Sequence, residues 1–166
     1  MEKVGNNMAL DIKKATIKDV SIVLELIKEL AVYEKMLDQV TATEDDVKKH
    51  VFETQHVHAI LMYENHLVIG FALYYFNFST FNGKPGLYLE DIFIRKEYRH
   101  QGYGKQVFKY LLNEAKSNEC GRMEWVCLDW NTPSIDFYVS LGATPLKGWT
   151  TFRLDEGDIE QVHQTL

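Results

Sequence analysis

The residues best suited to bind a charged ligand are the seven from Arg99 to Lys105, which read Arg-His-Gln-Gly-Tyr-Gly-Lys. Glycines at 102 and 104 let the backbone bend sharply and approach a ligand closely. The helix expected to follow presents unpaired N–H groups, which suit a phosphate. Five Lys and Arg residues stand between Arg95 and Lys109 against a single acid, Glu97, in an acidic chain. The loop therefore predicts a site for an anionic ligand.

Two common phosphate-binding motifs do not fit this loop. A P-loop needs a glycine five residues before the Gly-Lys glycine and Ser or Thr after the lysine, where this chain has Arg99 and Gln106. The dinucleotide fingerprint needs a small residue at the position of Val107. The pattern Arg-x-x-Gly-x-Gly remains, and a plain tight turn before a helix would also satisfy it.

Glu90, Asp91 and Tyr138 have side chains that can handle protons. Glu90 lies near the end of a predicted strand, and partial burial would raise its pKa and make it a better base. Strand alternation turns Asp91 to the other face unless a bulge intervenes, so whether it assists Glu90 stays open. The Tyr138 phenol can donate a proton. Judged by residue type alone, Glu90 could equally form an ordinary ion pair, and Tyr138 could equally be a core aromatic residue.

An acidic segment precedes these residues in the chain. Between Glu25 and Asp46 there are seven acids and two lysines, most of them explained as a solvated helix face. Glu34, beside Tyr33 at a predicted helix end, is the candidate to bind an ammonium group. Phe81 and Trp149 have the ring faces to contact an alkyl chain or a cation, or to lie buried between subunits. His56 and His58 have no second ligand pair, so we expect no metal.

Composition limits the function classes. The chain has 166 residues and a net charge of −6, which argues for one domain and against nucleic acid as the main partner. We expect no membrane association, because no apolar run approaches the ~18 residues of a membrane span. The N-terminal segment also lacks a signal-peptide pattern. Two cysteines, Cys120 and Cys127, fit a reducing cytoplasm rather than a disulfide scaffold.

Apolar spacing and turn signals predict the elements that position these groups. Their order, β-α-α-β-β-β-α-β-α-β, predicts an α/β chain with a mixed sheet and helices on its faces. The predicted elements are a strand over Met8–Ala15, a helix from Thr16 to about Glu34, a shorter helix from Thr43 through Val51, strands Val57–Tyr63, Leu67–Phe78 and Leu87–Ile94, loops Ser79–Gly86 and Arg95–Gly104, a helix to about Asn118, a strand Met123–Trp130, a helix from about Pro133 to Gly142, and short strands near Thr144–Leu146 and Thr150–Leu154.

Several motifs, in order along almost the whole chain, resemble the GNAT acetyltransferases. The acetyl-CoA motif is matched by Arg99-x-x-Gly102-x-Gly104 after Leu89-Glu90-Asp91-Ile92-Phe93-Ile94. The spermidine/spermine and thialysine acetyltransferases of that superfamily are the closer match. The stretches that carry it include Leu26–Ala31 with Tyr33-Glu34, Gly70–Phe76, Leu87–Asp91, Asp129-Trp130-Asn131, Phe137-Tyr138, Gly142-Ala143 and Gly148-Trp149.

The resemblance implies a role for each site residue in a single GNAT domain over residues 1–166 with a mixed, mostly antiparallel sheet. Tyr138 would be the general acid for the departing thiolate, and Glu90 would take the proton of the amine. Backbone groups of Ile92, Phe93 and Ile94 would hold the pantetheine arm of acetyl-CoA. Further cofactor contacts would come from Arg99, His100, Gln101, Gly102, Tyr103, Gly104, Asn131, Ser134 and Tyr138. The acceptor side would be lined by Tyr33, Glu34, Phe81, Glu90, Glu124, Trp125, Val126 and Trp149.

Departures from the spermidine enzymes narrow the expected acceptor. Ser79 and Lys147 stand where those enzymes carry acids, and Ser79-Thr80-Phe81 matches the thialysine branch instead. The resemblance thus implies acetyl transfer from acetyl-CoA to a small primary amine, lysine-like or a short diamine, by direct attack in a ternary complex. It also implies a cytoplasmic homodimer. A protein lysine or N-terminal acetyltransferase and a non-catalytic acyl-CoA sensor remain as alternatives.

Overall fold

A computed structural model describes residues 10–166, so Met8 and Ala9 of the predicted first strand lie outside it. Its strands are β1 (Asp11–Lys14), β2 (His58–Glu64), β3 (Leu67–Ser79), β4 (Lys84–Ile94) and β5 (Arg122–Glu124). Its helices are α1 (Val20–Glu34), α2 (Glu44–Val47, continued by a π-helix over Lys48–Glu53), α3 (Tyr103–Ser117), α4 (Thr132–Ser140) and α5 (Glu156–Thr165). Three short 3₁₀ turns cover Ile17–Asp19, Leu37–Gln39 and Lys96–Tyr98.

The strands form one five-stranded sheet in the order β1-β2-β3-β4-β5. Neighbours are antiparallel except β4 and β5, which are parallel and pair only over Gly86–Tyr88 and Arg122–Glu124. Successive side chains of a strand point to opposite faces, so each face of the sheet meets different helices. The mixed, mostly antiparallel sheet predicted for this chain is confirmed.

The first face of the sheet packs against α1 and α2. Leu61, Phe71, Leu73 and Phe93 lie in one buried cluster with apolar α1 side chains and Val47 of α2. Helix α1 joins this core because its apolar residues recur at helical spacing, namely Val23, Leu24, Leu26 and Leu30. We call this side the α1 face.

The opposite face of the sheet packs against α3, and we call it the α3 face. Tyr74, on this face, donates a hydrogen bond of 3.0 Å to Glu114 of α3. In α3 the buried residue Leu111 lies three residues after Phe108 and four after Val107, which are also buried, as expected of one helix face. Among the helices of residues 10–166, none is long and apolar enough to cross a membrane.

The chain divides into two compact units at residue 126. Unit 1 ends at Val126 and holds the sheet with α1, α2 and α3. Unit 2, Cys127–Leu166, holds α4 and α5, with no regular element over 143–155. Pro133 lies in the first turn of α4, and Gly142 follows this helix with φ 91°, both as the sequence predicts.

Four predicted elements are wrong. The loop Ser79–Gly86 is shorter, because Ser79 ends β3 and Lys84 already begins β4. The strand Met123–Trp130 ends at Glu124, since its later residues pair with no strand among those described. The short strands at Thr144–Leu146 and Thr150–Leu154 do not form, and helix α5 was not predicted. Phe152 is 90% exposed, so the apolar residues of that segment bury too little area to stabilise a strand.

Candidate active site

A β-bulge in β4 shapes the candidate site. Leu73 of β3 pairs with Asp91 while the next residue, Tyr74, pairs with Leu89. Glu90 is therefore the extra residue on β4, and it is exposed. The bulge reverses the alternation of β4, so Leu89 stays on the α3 face while Asp91 moves to the α1 face with Leu73.

Asp91 is the most perturbed carboxyl of the site. Burial, together with the charges of Glu90 and Glu34, raises its pKa from 3.8 to about 7. Burial also raises the pKa of Glu34, at the last turn of α1. Three carboxyl groups thus share one region of the α1 face, and we call them the acidic cluster: Glu34, Glu90 and Asp91. A carboxyl group with a pKa near 7 is well matched to accept a proton at neutral pH.

Two stacked tyrosines extend the α1 face beyond the acidic cluster. The rings of Tyr75 and Tyr88 lie 5.1 Å apart at 30°. Burial and the charge of Glu90 raise the pKa of both phenols, so both stay neutral. Glu124 of β5 pairs with Tyr88 in the sheet, accepts a hydrogen bond from Asn77 and forms an ion pair of 2.9 Å with Arg122.

Two arginines hold α1 against the end of β4. Arg95 donates to the Val68 carbonyl and forms an ion pair of 2.5 Å with Glu29 of α1, whose pKa it lowers. Arg99 donates to the Ile94 carbonyl at 2.8 Å, and its guanidinium carbon lies 4.4 Å from the centre of the Tyr33 ring. These contacts fix Tyr33, and with it the helix end that carries Glu34, beside the loop after β4.

The glycine-containing loop is open to a ligand. Gly102 has φ 81°, and a Cβ added there would meet nothing within 4 Å. His100 also has a left-handed φ, of 63°, so two residues of this loop adopt the left-handed conformation before α3. The first N–H groups of an α-helix have no partner within the helix. The loop and the start of α3 therefore fit a diphosphate, because their backbone is accessible and basic residues surround them.

The edge of β4 beyond Tyr88 provides a second binding feature. Strand β5 pairs with β4 only as far as Tyr88, whereas β4 continues to Ile94. Within residues 10–166, no strand pairs with this edge from Leu89 to Ile94. On the opposite edge Gly70 lies so close that a Cβ would come within 2.3 Å of the Phe93 carbonyl. Ile92, Phe93 and Ile94 thus have one edge fixed and the other available to a peptide-like ligand.

In unit 2, the predicted coenzyme-binding residues are Asn131, at the start of α4, and Ser134 and Tyr138 within this helix. Asn131 precedes the helix, is 6% exposed, and its carbonyl accepts from the Ser134 and Ile135 N–H groups. Residues four apart on a helix lie on one side, as Ser134 and Tyr138 do. Tyr138 is half-buried, with its ring 5.6 Å from that of Phe137. One helix thus presents an amide, a hydroxyl and a phenol.

The other predicted site residues lie apart from the acidic cluster or are exposed. Trp125 packs edge-on against Phe108 of α3, at 5.3 Å, on the α3 side of the sheet. Val126 and Phe81 are 69% and 98% exposed, and Trp149 of unit 2 is 80% exposed. Residues 10–166 contain no group of three His, Cys, Asp or Glu side chains arranged to hold a metal.

The sequence reasoning left Asp91 open and missed the tyrosine pair. A signal for the bulge exists in the sequence: apolar residues fall at 87 and 89 and then at 92 and 94, which shifts the alternation by one residue. That shift puts Asp91 opposite Leu73. Tyr75 and Tyr88 carried no signal of their own, because their stacking depends on the pairing of β3 with β4.

Comparison with known proteins identifies relatives over most of the chain. The Acetyltransferase (GNAT) family profile matches residues 24–143. A thialysine N-epsilon-acetyltransferase of Bos taurus is 36% identical, over 87% of this chain and 91% of that protein. An L-ornithine N5-acetyltransferase of Arabidopsis thaliana is 28% identical, over 95% of this chain and 89% of that protein.

Solved structures give the same fold. An integron cassette protein from the mobile metagenome of V. cholerae superposes with a TM-score of 0.78 and 26% identity, covering 95% of this chain and 99% of that one. An aminoglycoside acetyltransferase from a soil metagenome has a TM-score of 0.75 at 16% identity, covering 90% of this chain and 97% of that one. The second likeness concerns the fold alone.

Proposed function

The chain belongs to the GNAT acetyltransferase family and is an acetyl-CoA-dependent N-acetyltransferase, and on that premise we propose that its acceptor is the primary amine of a small molecule. The acceptor class is lysine-like or a short diamine or polyamine. The observation that carries this proposal is the acidic cluster, in which the pKa of Asp91 is about 7. A cationic amine would be attracted by Glu34 and Glu90 and would meet a proton acceptor in Asp91.

The coenzyme is held in this proposal by the loop and by the edge of β4. Backbone N–H groups from Arg99 to Gly104 bind the diphosphate, and the edge at Ile92–Ile94 binds the pantetheine arm. Support comes from the open space around Gly102 and from the absence of a pairing strand along that edge of residues 10–166. Asn131 and Ser134 of α4 add side-chain contacts. The bound coenzyme supplies an activated acetyl thioester.

The acidic cluster prepares the amine for attack. An alkyl ammonium of pKa ~10.4 is neutral in only about one molecule in 2,500 at pH 7, so its proton must be accepted. Asp91 takes that proton directly or through water, and Glu90 shares the task from its exposed position on the bulge. The neutral nitrogen then attacks the thioester carbonyl, a C–N bond forms and the C–S bond breaks.

The departing sulfur needs a proton, and Tyr138 supplies it. The phenol O–H is a donor, and α4 carries it on the same side as Ser134. A backbone N–H near Phe93 polarises the carbonyl while negative charge develops on its oxygen. Because both substrates are bound together, the reaction proceeds by direct transfer, with positioning as the main contribution.

The relatives favour an amino acid or diamine acceptor. Two of them are named for thialysine and L-ornithine, which are small molecules with a terminal amine. A third relative, 34% identical over 89% of this chain, is named a spermidine/spermine N(1)-acetyltransferase-like protein, although this chain spans only 23% of it. The stacked Tyr75 and Tyr88 offer apolar surface for the alkyl chain of such an acceptor.

We further propose that residues 1–166 act as a single domain in a cytoplasmic homodimer. The family profile runs from unit 1 into unit 2, which supports one functional domain. Exposed aromatic side chains in each unit, among them Phe81 and Phe152, support an interface between copies. Cys120 and Cys127 are thiols, as expected in a reducing compartment.

An acceptor screen tests the proposed function. Thiol release from acetyl-CoA is measured with thialysine, lysine, ornithine, short diamines, spermidine and a lysine peptide at pH 7 to 8. We expect the highest kcat/KM for a small molecule with a terminal primary amine. A preference for the peptide would replace the small-amine proposal with protein acetylation. If the protein bound the coenzyme but acetylated none of these amines, the proposal would be replaced by a non-catalytic acyl-CoA sensor.

A further inference from the structure

Tyr103 lies between the two glycines of the coenzyme loop, and its side chain is turned into the protein. It is the first residue of α3 and is 3% exposed, whereas Gln101 and Gly102 before it are exposed. Glycine on either side leaves the backbone free to change direction. The direction of the loop therefore depends on what holds the Tyr103 side chain.

The group that holds it is Glu64, the last residue of β2. The Tyr103 hydroxyl donates a hydrogen bond to Oε1 of Glu64, and Glu64 is 9% exposed. Asn65 and His66 follow with φ 48° and 67° and turn the chain into β3. The bond joins residues 39 apart in the sequence and ties the start of α3 to the β2–β3 turn.

This contact is chemically specific. A buried carboxylate is costly in free energy unless it is paired, and a hydroxyl that donates to a carboxylate forms a strong, short bond. The hydrogen bond to Glu64, with burial, raises the pKa of Tyr103 to about 12. The phenol therefore remains a donor at neutral pH, which a phenylalanine of the same shape cannot be.

We propose that Tyr103 and Glu64 are positioning residues, which hold the first N–H groups of α3 in the direction that the coenzyme diphosphate requires. The inference rests on the proposed function and adds side-chain roles to a loop that binds through its backbone. A loop already held in its binding geometry loses less conformational freedom when the ligand binds. Loss of the bond is therefore expected to weaken coenzyme affinity and to leave turnover at saturation unchanged.

The chain offers a matched control for this bond. Tyr74 donates to Glu114 at 3.0 Å, which is also a contact between a buried tyrosine and a glutamate that joins the sheet to α3. Tyr74 is 1% exposed, and Glu114 lies near the end of α3, away from the loop. Y74F thus removes a similar bond without affecting the start of the helix.

The experiment compares Y103F, E64Q and Y74F with the wild-type enzyme. Calorimetry gives the Kd of coenzyme A, and steady-state assays give kcat and KM for acetyl-CoA and for S-acetylpantetheine, which lacks the diphosphate. We expect Y103F to raise both the Kd of coenzyme A and the KM of acetyl-CoA about tenfold, or about 1.4 kcal/mol, with kcat within about twofold. E64Q keeps an acceptor oxygen, so its expected rise in Kd is about threefold.

Two comparisons decide the outcome. Y103F is expected to leave kcat/KM for S-acetylpantetheine unchanged, and Y74F to lower the thermal midpoint without changing the Kd of coenzyme A. The positioning role would be overturned if Y103F lowered kcat/KM equally for acetyl-CoA and S-acetylpantetheine. A wild-type Kd of coenzyme A in Y103F would also overturn it. If Y103F does not fold, an unchanged Kd in E64Q overturns it. A wild-type enzyme that binds no coenzyme A would instead overturn the proposed function itself.

Discussion

Replacing Asp91 by asparagine tests the acidic cluster most directly, because the raised pKa of this carboxyl gives the effect a definite sign. The pKa of Asp91 is about 7, against an ordinary value of 3.8, because of burial and the charges of Glu90 and Glu34. The gap corresponds to about 4 kcal/mol of unfavourable free energy for the ionised carboxylate, at ~1.36 kcal/mol per pH unit.

The direction of the pH dependence follows from proton binding. Between pH 3.8 and about 7 the folded protein holds the Asp91 proton while the unfolded chain has released it. The stabilisation from the protonated form is complete below pH 3.8 and is lost as the pH rises to about 7. D91N carries a neutral amide throughout, so its free energy of unfolding does not include this loss. We expect its advantage over the wild type to grow by about 3 kcal/mol between pH 5 and pH 8.

Urea unfolding at pH 5, 6, 7 and 8 measures this difference, and activity is measured on the same samples. D38N is the matched control, because it makes the same chemical change at an exposed residue outside the acidic cluster, where a substitution is expected to change stability by less than about 1 kcal/mol. D91N should be more stable and at least about a hundredfold less active. A difference between D91N and the wild type that is the same at all four pH values would show that Asp91 is not held protonated, and its role as a base would be lost with it.

Three other substitutions test separate parts of the site. Y138F removes the proposed acid, so kcat should fall about a hundredfold or more, while the Kd of coenzyme A changes far less because the ring is retained; an unchanged kcat would exclude Tyr138. E34Q should raise the KM of the amine about tenfold and move the pH limb of kcat/KM below 7, since Glu34 raises the pKa of Asp91; an unmoved limb would contradict this. G70A forces a Cβ to within 2.3 Å of the Phe93 carbonyl and should cost about 2–3 kcal/mol by urea unfolding; wild-type stability would refute the close approach.

Exposed residues supply the controls for these variants. Asp38 follows α1 and is exposed, so D38N makes a carboxyl-to-amide change near Glu34 without touching the acidic cluster. An added Cβ at Gly148 meets nothing within 4 Å, and its φ lies outside the left-handed range. G148A should therefore change the free energy of unfolding by no more than about 0.5 kcal/mol.

The order of elements up to α3 could be predicted from the sequence because each helix and strand there carries its own signal. Thr43 and Asp46 form the capping box that the sequence indicates, and Glu44–Val47 follows it as a helix. The C-terminal region was misread because β-branched and aromatic residues from Thr150 to Leu154 resemble a strand. The capping box formed by Asp155 and Asp158 was the better signal, and it marks the start of α5.

The chemistry of the site could be predicted only in part. Glu90 and Glu34 were identified from residue type and position, and the charges of both act on Asp91. The pKa of Asp91 could not be predicted, because it depends on burial and on two charges, one of them 57 residues away in the sequence. Burial of that kind is a property of packing between elements, and no local pattern encodes it.

The short pairing of β5 with β4 has a consequence for handling the protein. A bare strand edge is a template on which another chain can add a strand, and such edges promote aggregation. The edge from Leu89 to Ile94 is the part of β4 that the pantetheine arm would cover. Coenzyme A at many times its Kd should therefore slow precipitation during storage or heating, beyond the gain in folding free energy that ligand binding alone provides. Bound coenzyme A would then protect the sheet against edge-to-edge association for as long as it stays bound.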